Sequence, residues 1–511
     1  MTAAILLVAI VAEDPAVMRN APRDDAAPQA TLWRGDWLEV RGEKAGFLQV
    51  YDHRHERPGF IRPAIVRVHR LDEASAPELR AVVRFLRDAS GSESLGIGYA
   101  ALYLRAAPAG DDPSEVFAAI GTMASRLARR ASARRADGRD VLLPGASPAA
   151  STVAAQIEVA ESYGVHFRSV DPLLGGGRAR LCYDGDAWER VLSARAAPPL
   201  ERARAALFFA GGECLDPALP AAERRAWNDR RVQALDAVDP AAAPGIPASI
   251  PPSLGGRVRL RRAEALAWRA FDEARRAGAG EPAARAEAAA IRELALVDRG
   301  LLAPEDLETY DDVAVRVGAS RFAAEAGPAR PSAARRTTIT VGARGDGETC
   351  VRVVEVSGNP SRVLAERCTY GVVWLNSLRW SPAGNIATMA VQPLPAWTEL
   401  WVIQRGPTPA NTNATAPGTP PASAPAWSIE PLVPATVEPE AGYVEAAGFS
   451  PDGAHLLVVR EARGIGHPPR RFQMLSVPAL TVEKQASTAD KLLSFKRWSA
   501  ASWRAGTLAL R

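Results

Sequence analysis

The chain has 511 residues, and its 62 basic and 58 acidic side chains nearly cancel to a formal net charge of +4. No basic stripe with interleaved aromatic residues stands out, which argues against a nucleic acid partner. No run of about eighteen apolar residues occurs, which argues against a transmembrane helix. The length indicates two to four domains.

The N-terminal region, residues 1–70, carries the best-defined pattern in the chain. From Ile10 to Val66, short apolar runs alternate with turn-forming clusters, which predicts a small β-barrel. The segments LWRGDWLEVRG (32–42), FLQVYD (47–52) and GFI (59–61) follow one another in this region. Their order resembles the bacterial type of Src homology 3 domain, which is a binding module and not a catalyst.

Residues 1–12 support two interpretations. They are apolar and end in small residues, as the core of a signal peptide does, but they lack its basic leader. The run Leu7–Val11 fits a first β-strand equally well. Both interpretations stay open at this level, as does a truncated signal fused to the strand.

Four aromatic residues of this region are candidate ligand-binding residues: Trp33, Trp37, Tyr51 and Phe60. Together with Phe47 they exceed what so small a core needs, so we expect some of them on the surface. Exposed rings beside Asp36, Glu39 and Arg41 suit peptide or glycan stacking. The alternative is that the rings only fill the core. The resemblance implies a cell-wall peptide as the ligand.

Residues 71–325 are expected to form an all-α scaffold domain. The sequence SAPE (75–78) has the form of a capping box, and apolar residues follow it at helical spacing. DPSE (112–115) repeats this pattern, and further amphipathic segments continue to about Glu325. Short helices in series resemble a tetratricopeptide-like solenoid. An irregular helical domain is equally compatible with the pattern.

A linker at 326–336 is predicted to lead into an all-β domain, residues 337–511. Two segments there match each other, RWSPAGN (379–385) and GFSPDGA (448–454). Aromatic-Ser-Pro-Asp-Gly describes a strand that enters a tight turn. This pattern resembles the blade signature of the TolB-like and WD-type β-propellers. The stretch from Arg497 to Leu508 is interpreted as a further, degraded copy, and the region holds strands for only about three blades.

The four cysteines are candidates for two disulfides, and none lies in a Cys-x-x-Cys motif. Cys350 and Cys368 flank a turn at 357–360, so a hairpin would place them opposite each other. Cys182 and Cys214 lie about one helix pair apart. Local pairing favours an oxidising compartment, here the periplasm or cell envelope, whereas free buried thiols would allow a cytoplasmic location.

No catalytic motif is recognisable in the sequence. Gly-x-Ser-x-Gly, Ser-x-x-Lys and His-Glu-x-x-His are missing, and the glycines at 175–177 lack the order of a phosphate-binding loop. We therefore expect no catalytic residue, no cofactor and no metal site. One catalytic alternative is kept, a hydrolase with a dispersed site in the helical domain, built on His166 with Asp171 or Asp184.

These patterns together predict a multidomain α+β protein: a small N-terminal barrel, a solenoid-like helical domain and a propeller-like β-domain. The predicted function is non-catalytic binding in the cell envelope, with peptidoglycan or an envelope protein recognised through the N-terminal barrel. The alternative is a protein–protein interaction scaffold that uses the other two domains, with a purely structural barrel. Both predictions rest on analogy of fold.

Overall fold

The computed structural model describes residues 6–136, 148–170, 179–212, 214–216, 218–238, 250–325, 337–356, 362–406, 427–434, 441–463 and 470–507. Within them the chain divides into two units, 1–224 with 233–250 and 225–232 with 251–511. The predicted linker 326–336, the turn at 357–360, the glycines 175–177 and Asp171 lie outside the described residues. No described helix is both long and apolar enough to span a bilayer.

The first unit begins with a seven-stranded antiparallel sheet. Its strands are β1 (Leu7–Val11), β2 (Ala16–Arg19), β3 (Pro28–Leu32), β4 (Trp37–Lys44), β5 (Phe47–Asp52), β6 (Arg57–Ile61) and β7 (Val66–Arg70). They lie in the order β3-β2-β6-β5-β4-β1-β7, and each described pairing is antiparallel. Leu7–Val11 is therefore a strand, paired with both β4 and β7.

The two faces of this sheet bury different cores. Alternating residues, among them Met18, Leu38 and Val50, pack together on the inner face. On the other face, Val8 and Ile10 belong to the core of the neighbouring helices. Strand β1 is consequently buried on both faces, because its side chains alternate between the two cores.

The helices of the first unit follow the sheet. They are α1 (Ala76–Asp88), α2 (Glu93–Ala106), α3 (Ser114–Ala136), α4 (Pro148–Ser162), α5 (Ala187–Ser193) and α6 (Pro199–Phe209). A short hairpin, β8 (Phe167–Val170) with β9 (Arg180–Tyr183), interrupts them. The central region is thus helical but not all-α. The hairpin carries Cys182, which is bonded to Cys214 and so fixes β9 to the chain beyond α6.

The start of α1 differs from the predicted capping box. Ser75 occupies the position before the helix but makes no side-chain cap. Instead, the carboxylate of Asp72 accepts hydrogen bonds from the Ser75 amide at 3.0 Å and from its hydroxyl at 2.7 Å. A short 3-10 helix at Glu73–Ser75 precedes α1, so the first amide that needs an acceptor is in this turn. The capping residue is therefore Asp72 and not Ser75.

The second unit starts with helices. They are α7 (Ala221–Asp236, of which 225–232 belong to this unit), α8 (Pro252–Ala277), α9 (Glu281–Ala295) and α10 (Pro304–Ser320), followed by a 3-10 turn at Arg321–Ala324. Phe271 on α8 and Ala283 on α9 share a core with Phe322 of the 3-10 turn and with Trp374 of the strands that follow. The helices are thereby packed against the β-region of the same unit.

That β-region contains two sheets. A three-stranded sheet consists of β10 (Thr337–Ala343), β11 (Thr349–Glu355) and β12 (Arg362–Thr369). The eight-stranded sheet contains β13 (Val372–Trp380), β14 (Ile386–Leu394), β15 (Trp397–Arg405), β16 (Trp427–Leu432), β17 (Ala441–Phe449), β18 (His455–Arg463), β19 (Arg471–Ser476) and β20 (Val482–Ala486). It is two antiparallel meanders, β13–β16 and β17–β20, joined by a parallel contact of β15 with β17.

The C-terminal stretch corrects one prediction. In place of a further β-repeat, it forms two short helices, α11 (Leu493–Trp498) and α12 (Ala501–Thr507). Phe495 and Trp503 from these helices are buried against Leu457 and Phe472 of the preceding meander. The aromatic residues of this stretch therefore cover the sheet and do not extend it.

Candidate binding site on the N-terminal sheet

The outer face of β4, β5 and β6 collects aromatic and charged side chains. The register pairs Glu39 with Tyr51, and Gln49 with Phe60. Directly paired residues share a face, and so do residues two apart on one strand. Trp37, Tyr51 and Phe60 are therefore on one face, opposite to the face that buries Leu38.

Three rings and two guanidinium groups form a row on this face, which we call the aromatic row: Arg105, Trp37, His53, Tyr51 and Arg41. The Trp37 and His53 rings stack with centroids 5.9 Å apart, and the His53 and Tyr51 rings lie nearly perpendicular with centroids 4.9 Å apart. The guanidinium of Arg41 lies 4.0 Å from the centroid of Tyr51, and that of Arg105 lies 4.8 Å from Trp37. The row thus consists of three successive rings with a guanidinium group at each end.

Glu39 supplies the negative charge beside this row. Its carboxylate accepts a hydrogen bond from Arg41 Nε at 3.0 Å and lies 2.7 Å from His53 Nε2. The hydrogen bond from Arg41, followed by that from His53, lowers the pKa of Glu39 below its ordinary value. The carboxylate stays ionised and holds both neighbours in place, although an ion pair this exposed contributes little to stability.

The position of the aromatic row follows from how α2 packs on the sheet. Trp37 is half-buried at the edge of the core that the sheet shares with the helices. Arg105 lies in the last turn of α2 and is exposed. No ion pair to Arg105 occurs among the described residues, so its charge is available beside the Trp37 ring.

The structure separates the four predicted binding residues. Trp37 and Tyr51 are joined through His53, whereas Trp33 and Phe60 make no ring-to-ring contact in the described part of the chain. Trp33 lies in the turn before β4, where its amide donates to the carboxylate of Asp36 at 2.8 Å. All four side chains are half-buried.

Asp36 belongs to that turn and not to the binding face. It is 6 % exposed, and burial is the main cause that raises its pKa, against the lowering effect of the Trp33 amide. The expectation that Asp36 lies beside exposed aromatic residues is therefore wrong. The Asp36 carboxylate accepts the Trp33 amide on the buried side of the turn.

Two residues of the aromatic row were missed as ligand-binding candidates. His53 lies two residues after Tyr51, a spacing that itself indicates a shared side of the strand end. Arg105 is 68 positions along the chain from Trp37, on another element. No sequence signal connects those two residues, because their contact depends on the docking of α2.

The hydrolase alternative concerns a different part of the first unit. Asp184 pairs with Arg168 at 3.1 Å, and its amide donates to the carbonyl of His166 at 2.8 Å. Nearby, a cavity of about 790 Å³ is lined by Tyr183, Trp188, Phe208 and the Cys182–Cys214 disulfide, among others. Among the described residues that line it there is no Asp, Glu or His. Burial raises the pKa of Tyr183 to about 12, so this hydroxyl stays protonated.

Both predicted cysteine pairs are disulfides in the structure. Cys182 and Cys214 have Cα atoms 5.8 Å apart, and Cys350 and Cys368 have Cα atoms 4.0 Å apart. Structural disulfides of this kind persist in oxidising compartments. They point to a location outside the reducing cytoplasm.

No family model, curated protein or solved structure matches this chain. The function is therefore argued from the geometry of the chain itself.

Proposed function

We propose that the protein is a non-catalytic binding protein of the bacterial cell envelope, which recognises the peptide of peptidoglycan through the aromatic row of its N-terminal sheet. One observation carries the proposal: Trp37, His53 and Tyr51 form a continuous ring surface flanked by two guanidinium groups. The resemblance of segments 32–42, 47–52 and 59–61 to the bacterial Src homology 3 type supports it.

The chemistry of the aromatic row fits a short peptide that carries carboxylates. Aromatic faces give contact area at a low cost in conformational entropy, since each ring has only two side-chain torsions. Arg105 lies at one end of the row, where a guanidinium can form paired hydrogen bonds to a carboxylate. Arg41 is already held by Glu39 and so contributes mainly its stacking on Tyr51.

Two disulfides support the periplasm as the location, since that compartment is oxidising and contains peptidoglycan. The protein-interaction scaffold is the second candidate. Large apolar side chains on the helices favour it, such as Phe85 on α1, which is 75 % exposed. Single exposed apolar residues are common on soluble proteins, so we rank this candidate below peptide binding.

The test is co-sedimentation of the full-length protein with insoluble peptidoglycan. Wild-type protein should sediment, and Tyr51→Ala and Arg105→Ala should each weaken binding at least about fivefold, since a cation–π or stacking contact contributes about 1 kcal/mol. Phe85→Ala is the matched control, because it removes an exposed ring outside the row.

The opposite results are equally clear. Wild-type protein that stays in the supernatant contradicts the proposal and favours the scaffold. Equal losses in Tyr51→Ala and Phe85→Ala would show that the aromatic row is not the binding surface. Release of soluble wall fragments during the incubation would instead indicate a hydrolase.

A further inference from the structure

A second cavity, of about 400 Å³, lies wholly within the second unit. Five aromatic residues line it: Phe322 of the 3-10 turn, Trp380 at the end of β13, Phe449 at the end of β17, Trp498 of α11 and Trp503 of α12. Trp380 and Phe449 are the equivalent aromatic residues of the two repeated motifs. The two copies and the C-terminal helices thus meet around one space, and its volume is within the range of small-molecule sites.

The charged groups at this cavity are balanced by one another. Arg379 Nη2 lies 3.4 Å from Glu325 Oε2, and Arg321 Nε lies 3.8 Å from Glu325 Oε1. Arg321, 6 % exposed, also forms an ion pair with the buried Glu445 behind the wall. Two cations and two anions leave no net charge, so the site discriminates against a strongly charged ligand.

One donor in the wall has no acceptor. Trp503 is 7 % exposed, and its indole Nε1–H makes no hydrogen bond within the described part of the chain. A buried donor without a partner is destabilising by about 1–3 kcal/mol. The nitrogen itself is inaccessible, so the Trp503 indole contributes to this cavity through its ring alone.

From these features we propose that this cavity binds an uncharged carbohydrate. A pyranose ring presents apolar C–H faces and a rim of hydroxyl groups. The faces match the flat rings of Trp498, Trp380 and Phe449, and the rim matches the donors of Arg379 and the acceptors of Glu325. Because each hydroxyl both donates and accepts, a sugar can engage that ion pair without carrying charge itself.

Isothermal titration calorimetry with the full-length protein tests this proposal. The probes are glucose, N-acetylglucosamine and their β-1,4-linked disaccharides. We expect saturable binding of at least one probe and a loss of about tenfold in affinity for Trp498→Ala, the upper end of what one aromatic contact contributes. Glu325→Gln, which keeps the shape but removes the charge, should also weaken binding. Tyr370→Ala is the matched control, since Tyr370 is an exposed ring of the same unit that does not line the cavity.

The probes also distinguish the source of the sugar. Binding of a disaccharide alone indicates a polysaccharide chain, and equal binding of the monosaccharide indicates a free sugar. The proposal is overturned if no probe binds, or if Trp498→Ala and Glu325→Gln, shown to be folded by circular dichroism, bind as wild type does. Sedimentation with peptidoglycan distinguishes the contributions of the two sites to binding. The loss in Tyr51→Ala measures the contribution of the aromatic row, and the loss in Trp498→Ala measures that of this cavity.

Discussion

Cys350 and Cys368 occupy directly opposed positions on β11 and β12, and their sulfur atoms are bonded. The bond ties together the central strand and an edge strand of a sheet with only three strands. Cys350 is fully buried, whereas much of β12 is exposed. A small sheet with one exposed edge strand buries little apolar area, so the covalent bond carries a large share of its stability.

Removing this bond should therefore be costly. For Cys350→Ser with Cys368→Ser we expect a loss of about 3 kcal/mol in the free energy of unfolding, because the closed loop spans 18 residues. For Cys182→Ser with Cys214→Ser, where the separation is 32, the loss should be about 4 kcal/mol. Urea unfolding measures both. Wild-type protein in reductant should reproduce the combined loss. Unfolding midpoints that are the same with and without reductant would contradict the assignment of the two disulfides.

Gly98 marks the closest approach of α2 to the N-terminal sheet. A Cβ at Gly98 would lie 2.6 Å from the carbonyl oxygen of Gly35, and this carbonyl also accepts a hydrogen bond from Tyr163 at 2.5 Å. Gly35 itself has φ of 102°, and a Cβ there would lie 2.4 Å from the carbonyl oxygen of Ser94. Backbone atoms face both positions, so neither clash is relieved by a side-chain rotation.

We expect Gly98→Ala to destabilise the protein by about 2 kcal/mol, although alanine is normally the better helix residue. Gly255→Ala is the matched control: Gly255 is also helical, and a Cβ there meets nothing within 4 Å. That variant should be stabilised by about 0.5–1 kcal/mol. Thermal unfolding of the two variants gives the comparison. If both shift in the same direction, the close packing of α2 on the sheet is wrong.

The predictions from sequence succeeded where a short segment determines its own structure. The apolar segment FLQVYD (47–52) coincides with β5, because one face of a strand must be apolar to be buried, here through Leu48 and Val50. The motif at 448–454 identified a turn, since Gly453 has φ of 72° and proline presets the turn before it. The register of Cys350 with Cys368 followed from two strands of similar length around one turn.

The predictions failed where tertiary packing selects the structure. Trp498 and Trp503 fit a degraded β-repeat as well as a short helix, and only the sheet beneath them favours the helix. The strands β8 and β9 have four residues each, too few for a reliable periodic signal. The stacking of Arg105 on Trp37 could not be predicted, because it depends on where α2 docks.

The two motif turns should contribute equally to stability. The amides of Ser381 and Ser450 donate to the carbonyls of Ile386 and His455, at 2.8 and 3.0 Å. Their hydroxyls accept from the amides of the same two residues, at 3.3 and 2.9 Å. Both serines are 1 % exposed. The hydrogen bonds of the turn are therefore repeated between the copies, although Ala383 replaces Asp452.

We expect Ser381→Ala and Ser450→Ala each to cost about 1–2 kcal/mol, since each leaves a buried amide without its acceptor. Ser428→Ala is the control: this serine on β16 is half-buried and its hydroxyl donates only to the exposed carboxylate of Glu430, so the change in stability should be less than about 0.5 kcal/mol. Chemical unfolding measures all three. A large loss of stability in one variant and none in the other would show that the two turns do not make equivalent contributions to the free energy of unfolding.

Glu287 on α9 is a carboxyl group that the fold buries without a hydrogen-bond partner. It is fully buried, and neither carboxylate oxygen has a partner within the described part of the chain. Burial raises the pKa of Glu287 well above its ordinary value, against a smaller lowering effect of Arg321. Arg321 is itself held by Glu445 and Glu325. The carboxyl is therefore favoured in its neutral form.

This raised pKa makes stability depend on pH in a defined direction. The unfolded chain releases the Glu287 proton at about pH 4.3, the ordinary glutamate value, while the folded chain retains it to higher pH. The contribution is complete below that pH and is lost as pH rises towards the folded pKa, by about 1.4 kcal/mol per pH unit. Glu287→Gln cannot release a proton, so it should gain stability relative to wild type across that window.

Thermal unfolding of wild type, Glu287→Gln and Glu281→Gln between pH 5 and pH 9, which are roughly the limits of the informative range, measures this effect. Glu281 is the control because it begins the same helix and is exposed, so its variant should follow wild type at every pH. The difference in melting temperature between Glu287→Gln and wild type should grow as pH rises. A difference that is constant with pH would mean that Glu287 is ionised in the folded protein and that a counter-charge must reach it.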